Sequence, residues 1–316
     1  MEKTTLNYTK MQLPYNDFGT WIRRRFGSKI QKISVNAGFT CPNRDGRLGV
    51  GGCIFCNNAT FNPAYCDSSN TIRKQLEDGK SFFNRKYSDM KYLAYFQAYT
   101  NTYASLEKLK SIYEEALNTE DVVGIIIGTR PDCIDSSLLD YLETLNRQTF
   151  LCVEYGIESA NNMTLKRINR GHDFECSRRA VEETSQRGIM TGGHVIIGLP
   201  GEDRNENLRQ AKIISDMRLD ILKLHQLQII KGTKLEQEYA RKPFHLYDVD
   251  EYICLMAEYV ALLRKDIIVD RFVSQSPKEL LVAPSWGIKN HEFTDKLVNY
   301  MKKHNITQGC KVGNNE

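Results

Sequence analysis

The chain carries three thiols in one glycine-rich stretch, which reads Cys41-Pro42-Asn43-Arg44-Asp45-Gly46-Arg47-Leu48-Gly49-Val50-Gly51-Gly52-Cys53-Ile54-Phe55-Cys56. Cys53 and Cys56 are separated by two residues, a spacing that lets both sulfurs face one metal centre without straining the backbone. The glycines let the loop fold back tightly, since glycine tolerates positive φ and close backbone approach, and Cys41 then approaches from across the loop. The stretch therefore predicts a metal site, either zinc or an iron–sulfur cluster.

The composition is that of an ordinary globular protein: 316 residues with 41% apolar content can build one large domain or two medium ones. No run of about 18 apolar residues is present, and the first residues lack the apolar core of a secretory signal, so we expect a cytosolic protein without membrane contact. Because the cytosol keeps thiols reduced, nine cysteines predict metal binding or burial rather than disulfides. A net charge of +4 is too small to establish a nucleic-acid partner.

From residue 30 onward, short β-branched runs alternate with amphipathic segments, a pattern that predicts βαβ units and a parallel sheet. The predicted strands are residues 32–35, 92–97, 122–127, 150–155, 191–197 and 221–227, and the predicted helices are 72–84, 106–117, 136–147, 176–187 and 206–217. Six units are too few for the usual closed eight-stranded barrel. We therefore predict an α/β fold, a partial (βα)6 TIM-like barrel.

Three regions follow from this pattern: an N-terminal extension at 1–29, the partial barrel at 30–230, and a C-terminal extension or lid at 231–316. The first holds an amphipathic helix at 17–26 that we expect to pack on the main domain, and the last holds helices at 249–264 and 292–304 and a final strand at 267–273. Ligands in such sheets bind at the carboxyl ends of the strands. The cysteine stretch and the later polar motifs all follow strands, so they are expected to share one mouth.

Zinc and an iron–sulfur cluster compete for the three thiols. Structural zinc takes four ligands, commonly as two Cys-x-x-Cys pairs, and here the nearest fourth candidate, Cys66, has no partner at short spacing. Three cysteines suit a four-iron cluster in which one iron is left open for a substrate or cofactor. A thioredoxin-like motif is less favoured, because such motifs start a helix in a smaller fold. Zinc held by four cysteines remains the alternative.

On these residues the chain resembles the radical S-adenosylmethionine (SAM) enzymes. Cys-Pro-Asn-Arg-Asp-Gly followed by Gly-Gly-Cys-Ile-Phe-Cys-Asn is similar to the YhcC/YtqA family, which is related to the radical SAM core of the Elongator catalytic subunit. Eleven residues separate Cys41 from Cys53, a departure from the commoner Cys-x3-Cys-x2-Cys that is typical of this branch. The resemblance implies that Cys41, Cys53 and Cys56 hold a 4Fe-4S cluster whose open iron chelates SAM, which is cleaved to a 5′-deoxyadenosyl radical.

The resemblance also implies which residues bind SAM. Phe55 would lie beside the adenine, with an ordinary packed aromatic as the alternative, and the backbone carbonyls near Tyr99 and Thr100 would contact the amino group of the methionine moiety. Glu154 would accept the ribose hydroxyls, and Arg167 would pair with the methionine carboxylate.

Three further positions follow the fifth and sixth strands. The turn at 192–202 is similar to the superfamily pattern Gly-x-Ile-x-Gly-x-x-Gly-Glu, in which Gly198 would let the backbone approach the adenine. His225 and Gln226 resemble positions near the adenine and the substrate. Glu154 and His225 are the candidate catalytic residues.

Two motifs carry arginines. Arg130 lies in Thr-Arg-Pro-Asp, which resembles the corresponding motif of the Elongator relatives, and we expect it to form an ion pair with Asp132. Lys166 and Arg170 follow the fourth strand, and we expect them at the surface.

The resemblance implies a tRNA substrate, in which the side chain at carbon 5 of the wobble uridine is modified. Since the chain stops without an acetyltransferase domain, we expect it to remodel an existing side chain, with electrons from an external donor such as flavodoxin or ferredoxin. Two alternatives remain open: a radical SAM enzyme that acts on a small metabolite or cofactor, and a non-enzymatic zinc module that binds nucleic acid.

Overall fold

The computed structural model describes residues 13–60, 62–83 and 90–313. In chain order the strands are β1 (Ile30–Val35), β2 (Lys91–Phe96), β3 (Val122–Thr129), β4 (Phe150–Glu158), β5 (Met190–Ile197), β6 (Ile221–Gln226), β7 (Ile229–Ile230), β8 (Ile268–Arg271) and β9 (Leu281–Ala283). The helices are α1 (Phe18–Phe26), α2 (Ile72–Phe83), α3 (Leu106–Leu117), α4 (Ser136–Asn146), α5 (Asn162–Arg167), α6 (Phe174–Gln186), α7 (Arg204–Asp216), α8 (Lys234–Arg241), α9 (Val249–Ala261) and α10 (Asn290–Lys303). A 3-10 turn covers Asn58–Thr60.

Seven parallel strands form one sheet in the order β1-β2-β3-β4-β5-β6-β8. This confirms the partial TIM-like barrel, with one strand more than the six predicted units. The additional strand, β8, is the final strand expected at 267–273, and it pairs in parallel with β6 through Ile221 and Ile268. The domain boundary at residue 230 stays a prediction.

Several helices begin at an aspartate that caps the free backbone N–H groups of the first turn, a contact worth about 1 kcal/mol. Asp135 Oδ1 accepts from the N–H of Leu138 at 2.9 Å at the start of α4. Equivalent caps stand before α1, α6, α7 and α9. The predicted helices therefore start close to the expected residues, while the end of the helix predicted at 72–84 lies outside the described residues.

Three apolar clusters hold the described part of the chain together. The largest lies between the sheet and the helices that cover it, a second fills the inside of the barrel with residues such as Leu93, Ile126, Ile221 and Ile268, and a third includes Ile54 of the cysteine loop. Phe18 of α1 is buried in the cluster inside the barrel, which confirms that the N-terminal helix packs on the main domain.

The C-terminal region adds α9 and α10, which pack on each other, and a small antiparallel pair, β7 and β9. Neither strand of this pair was predicted, because two or three residues are too few to show a period. Among the described residues, no helix combines the length and apolar character needed to cross a bilayer.

Candidate active site

An open cavity lies at the carboxyl ends of the parallel strands. Its void, including the part open to solvent, measures about 1230 Å³. Residues that follow or end β1 to β6, together with two serines after β8, line it, and Cys41, Cys53 and Cys56 are all among them. The three thiols and the later polar motifs therefore share one mouth, as predicted.

The cysteine loop is clamped by the segment that follows α5. Asn169 Nδ2 donates to the carbonyl of Gly52 at 2.9 Å, and the N–H of Ile54 donates to the carbonyl of Ile168 at 3.0 Å. Asn43 Nδ2 in turn donates to the carbonyl of Asn169 at 2.5 Å. Residues far apart in sequence thus hold the loop that carries the thiols.

Each of the three sulfurs has an N–H donor nearby. The pairs are Arg130 Nη1 at 4.0 Å from Cys41 Sγ, Arg170 Nη1 at 3.7 Å from Cys53 Sγ, and Asn58 Nδ2 at 3.7 Å from Cys56 Sγ. Guanidinium and amide donors beside sulfur stabilise the thiolate form, which is the form that binds iron. The donor set therefore fits a cluster held by three cysteines.

The structure gives no support to a zinc site made of four cysteines. Cys66 does not line the cavity: its Sγ donates to the carbonyl of Ser34 at 2.9 Å, and burial raises the pKa of its thiol to about 12. The described part of the chain contains no group of three or more His, Cys, Asp or Glu residues that are close enough together for a single metal ion. Cys66, the fourth cysteine considered, therefore lies away from the cavity that Cys41, Cys53 and Cys56 line.

Phe55, Tyr99 and Thr100 all line the cavity, as predicted for SAM contacts. Tyr99 has φ 61°, a left-handed conformation that costs about 1 kcal/mol or more for a non-glycine residue, and its N–H donates to Asn58 Oδ1 at 3.2 Å. Thr100 is buried, and its Oγ1 has no hydrogen-bond partner. The strained turn thus precedes a lining residue whose buried hydroxyl has no hydrogen-bond partner.

Glu154 and His225 line the same cavity. Glu154 Oε2 accepts from Lys223 Nζ at 2.6 Å and from His194 Nε2 at 2.9 Å, while its Oε1 has no partner. His225 Nε2 also has no partner, and burial holds the pKa of this imidazole well below its usual range. Two residues that line the cavity therefore each carry a buried polar atom without a hydrogen-bond partner.

Gln226 lines the cavity with its amide already paired. Its Nε2 donates to the carbonyl of Ser274 at 2.9 Å, and its Oε1 accepts from the N–H of Ser274 at 2.9 Å. This fork fixes the loop after β8 against the end of β6. Gln226 is therefore placed to shape the wall of the cavity.

Two of the predicted SAM contacts do not line this cavity. Arg167 is on α5, where its Nη2 lies 2.5 Å from Glu238 Oε2. Gly198 has φ 84° and lies at a smaller neighbouring void, where a Cβ would come within 3.1 Å of the ring of Tyr247. Their assignments to SAM stay predictions.

Arg170 lines the cavity instead, and the expectation that it lies at the surface is wrong. Its side chain is buried, Nη2 donates to the carbonyl of Gly156, and Nε has no partner. The turn after α5 folds back under the cysteine loop, which sequence spacing does not reveal. The expected pair of Arg130 and Asp132 is confirmed as a fork, with Nε and Nη2 at 2.8 and 2.7 Å from the two carboxylate oxygens.

His194 and Lys223 are polar residues of the site whose roles were not predicted from sequence. Both project from strands toward the inside of the barrel. Strand alternation could have predicted the position of Lys223. Residues two apart in a strand share a face, and Lys223 is two residues before His225, which was already a candidate.

Comparisons with known proteins agree with this geometry. The sequence-family model of the radical SAM superfamily matches residues 39–210 of the chain, and the family model of the radical SAM C-terminal domain matches residues 219–303. YtqA of Bacillus subtilis is 34% identical over 309 residues, which cover 98% of this chain and 96% of the relative. YhcC of Escherichia coli K12 is 35% identical over 305 residues, which cover 96% of this chain and 97% of the relative.

More distant relatives are similar over part of the chain. A tRNA uridine(34) acetyltransferase of Methanocaldococcus jannaschii is 26% identical over 210 residues, 66% of this chain and 37% of the relative. The solved structure of the archaeal Methanocaldococcus infernus Elp3 with an N-terminal deletion has a TM-score of 0.65 at 18% identity, and the match covers 89% of this chain and 65% of that one. That structural likeness supports the fold. From the family match and the near full-length relatives, the chain belongs to the radical SAM superfamily, in the family of YtqA and YhcC.

Proposed function

We propose that this radical SAM enzyme cleaves SAM at a 4Fe-4S cluster and modifies the carbon-5 side chain of a tRNA wobble uridine. Cleavage of SAM at a cluster is supported by one observation: three thiols, each with its own N–H donor, lie in one cavity at the ends of the strands. Radical SAM proteins use SAM and such a cluster, and the residues present fit both groups.

Cys41, Cys53 and Cys56 would hold the cluster. When bound, the cluster would supply the electron for reductive cleavage of SAM, the chemistry that yields a hydrogen-abstracting 5′-deoxyadenosyl radical. The buried guanidinium of Arg170, with its unpaired Nε, is the cation that we assign to the carboxylate of SAM in place of the more exposed Arg167.

The remaining residues of the cavity orient the ligands and exclude water. We assign Glu154 Oε1, which has no partner, to a hydroxyl of SAM, and His225 Nε2 to the substrate. Gln226 and Gln228 are fixed by the segment after β8, since Gln228 Oε1 accepts from Ser276 Oγ at 2.7 Å. A rigid polar wall of this kind holds a substrate in one orientation.

The tRNA substrate rests on the relatives named tRNA uridine(34) acetyltransferase. The match covers 37% of the Methanocaldococcus jannaschii protein, so we carry over only the wobble uridine and not the acetyl transfer. Remodelling of a side chain already present on carbon 5 is the reaction we propose. An external one-electron donor such as flavodoxin or ferredoxin would supply the electron.

Nucleoside profiling of tRNA from a deletion strain tests this substrate. The strain should accumulate a wobble uridine with an unprocessed side chain, and the wild-type gene should restore the mature nucleoside where a Cys53→Ser gene does not. An unchanged profile would favour a small metabolite as substrate. Binding of purified tRNA should also weaken steeply as salt rises, because phosphate contacts release counterions.

A further inference from the structure

A polar layer crosses the inside of the barrel, on the N-terminal side of the residues that end the strands. Its ion pairs run Lys32 to Asp270 at 2.6 Å, Asp270 to Lys223 at 3.3 Å and Lys223 to Glu154 at 2.6 Å, so that positive and negative charges alternate. The inside of such barrels is usually filled by branched apolar side chains. Buried ion pairs are rarely more stabilising than apolar packing, so a gain in stability over an apolar core does not explain this layer.

Glu154 is the end of this series that reaches the cavity. Burial opposes its ionisation, but Lys223, His194 and Lys32 together outweigh burial and hold the pKa of the carboxyl well below its usual range. A carboxylate only accepts hydrogen bonds, so His194 Nε2, at 2.9 Å, carries the hydrogen that it donates to Glu154. The other ring nitrogen of His194, Nδ1, then keeps a free lone pair.

His194 presents its ring to the cavity. It lines the void, and its ring stacks on that of His225 with centroids 5.3 Å apart and planes at 27°. Burial lowers the pKa of His194 to about 4, so the imidazole is neutral near pH 7. The titratable and charged groups that face it from neighbouring strands are Glu154 on β4, Lys223 and His225 on β6, and Arg271 on β8.

We propose that Glu154 and His194 form a proton-accepting dyad for the substrate. His194 Nδ1 takes the proton of a substrate N–H or O–H group, the bonding electron pair stays on that nitrogen or oxygen, and the carboxylate of Glu154 stabilises the imidazolium. Hydrogen-atom loss from the adjacent carbon makes such a group more acidic, which lowers the free-energy cost of transferring its proton to the neutral imidazole. Only a proton moves in this step, and the imidazolium later releases it to water at the mouth.

This inference rests on the proposed function, because the substrate radical must form in the same cavity. The chain also offers a matched control: His245 Nε2 lies 3.2 Å from Glu251 Oε2 in a second histidine–glutamate pair, which is exposed and does not line the cavity.

The tautomer of His194 tests the dyad without any substrate. Nitrogen-15 NMR of the folded protein, assigned with His194→Gln, should show hydrogen on Nε2, a bare Nδ1 and no titration near pH 6.5. In Glu154→Leu, which removes the acceptor of the Nε2–H group, this preference should be lost. A resting Nδ1–H tautomer, or an unchanged tautomer in Glu154→Leu, would overturn the proposal.

Turnover tests the same step. In His194→Gln, the amount of modified nucleoside formed per deoxyadenosine should fall by about 10²–10⁴-fold, the usual range for loss of a general base. His245→Gln should match wild type. Product formation by His194→Gln at the wild-type rate would contradict the dyad. If wild type leaves tRNA unmodified, the proposed substrate fails, and the tautomer measurement still decides whether His194 Nδ1 is free to accept a proton.

Discussion

Lys32 Nζ on β1 lies 2.6 Å from Asp270 Oδ2 on β8, so an ion pair joins the two edge strands of the open sheet. The ammonium of Lys32 also lies 3.7 Å from the centre of the Phe18 ring, on the helix that closes the same end of the barrel. The partial barrel is therefore completed by side chains where its edge strands do not pair with each other.

Asp270→Asn should destabilise the protein by about 3–5 kcal/mol, because it leaves the ammonium groups of Lys32 and Lys223 without their shared anion. Urea unfolding measures this change. Asp121 Oδ1 lies 2.5 Å from Lys91 Nζ in an exposed ion pair. Asp121→Asn, the control, should lower the free energy of unfolding by about 1 kcal/mol or less. Equal effects of the two substitutions would show that the pair does not close the barrel.

His194 predicts a dependence of stability on pH. Burial lowers its pKa to about 4 in the folded state, so the unfolded chain, in which histidine titrates near its ordinary value, binds more protons below about pH 6.5. The contribution of the neutral His194 side chain to the free energy of unfolding is therefore complete above about pH 6.5, and it is lost as the pH falls toward 4. Between about pH 7 and pH 4.5, the free energy of unfolding measured with urea should fall by about 2 kcal/mol more in wild type than in His194→Gln. Parallel losses in the two proteins would contradict the buried, neutral histidine.

Arg170→Gln should weaken SAM binding, because it removes a buried cation from the cavity, whereas Arg167→Gln removes a partly exposed ion pair outside it. The expected loss is about 1.5–3 kcal/mol, roughly 10- to 150-fold in Kd, for Arg170 and near zero for Arg167. Equilibrium binding of SAM to the reconstituted proteins, compared at equal iron content, checks this. A larger effect at Arg167 would restore the assignment made from sequence.

Much of the fold followed from periodicity. Alternating strands and helices predicted the parallel partial barrel, and the position of the cysteine loop after β1 predicted that the thiols and the polar motifs meet at one mouth. Arg170 escaped prediction because its place depends on a turn that folds back beneath the cysteine loop. The role of Lys223 depends on contacts across the barrel to Glu154 and Asp270, which no local pattern encodes.

Cys53→Ser should lose the cluster, whereas Cys310→Ser should keep it, since Cys310 is exposed and does not line the cavity. Iron and acid-labile sulfide, measured after anaerobic reconstitution, should fall by at least about tenfold in the first variant and remain at the wild-type value in the second. Full iron and sulfide content in Cys53→Ser would remove this cysteine from the ligand set.

The central claim is that the cavity cleaves SAM reductively at a cluster held by three cysteines. Its most direct test is the formation of 5′-deoxyadenosine by the anaerobically reconstituted protein with SAM and dithionite. We predict that wild type forms deoxyadenosine and that Cys53→Ser does not. Absence of deoxyadenosine from wild-type protein with an intact cluster and bound SAM would contradict the account.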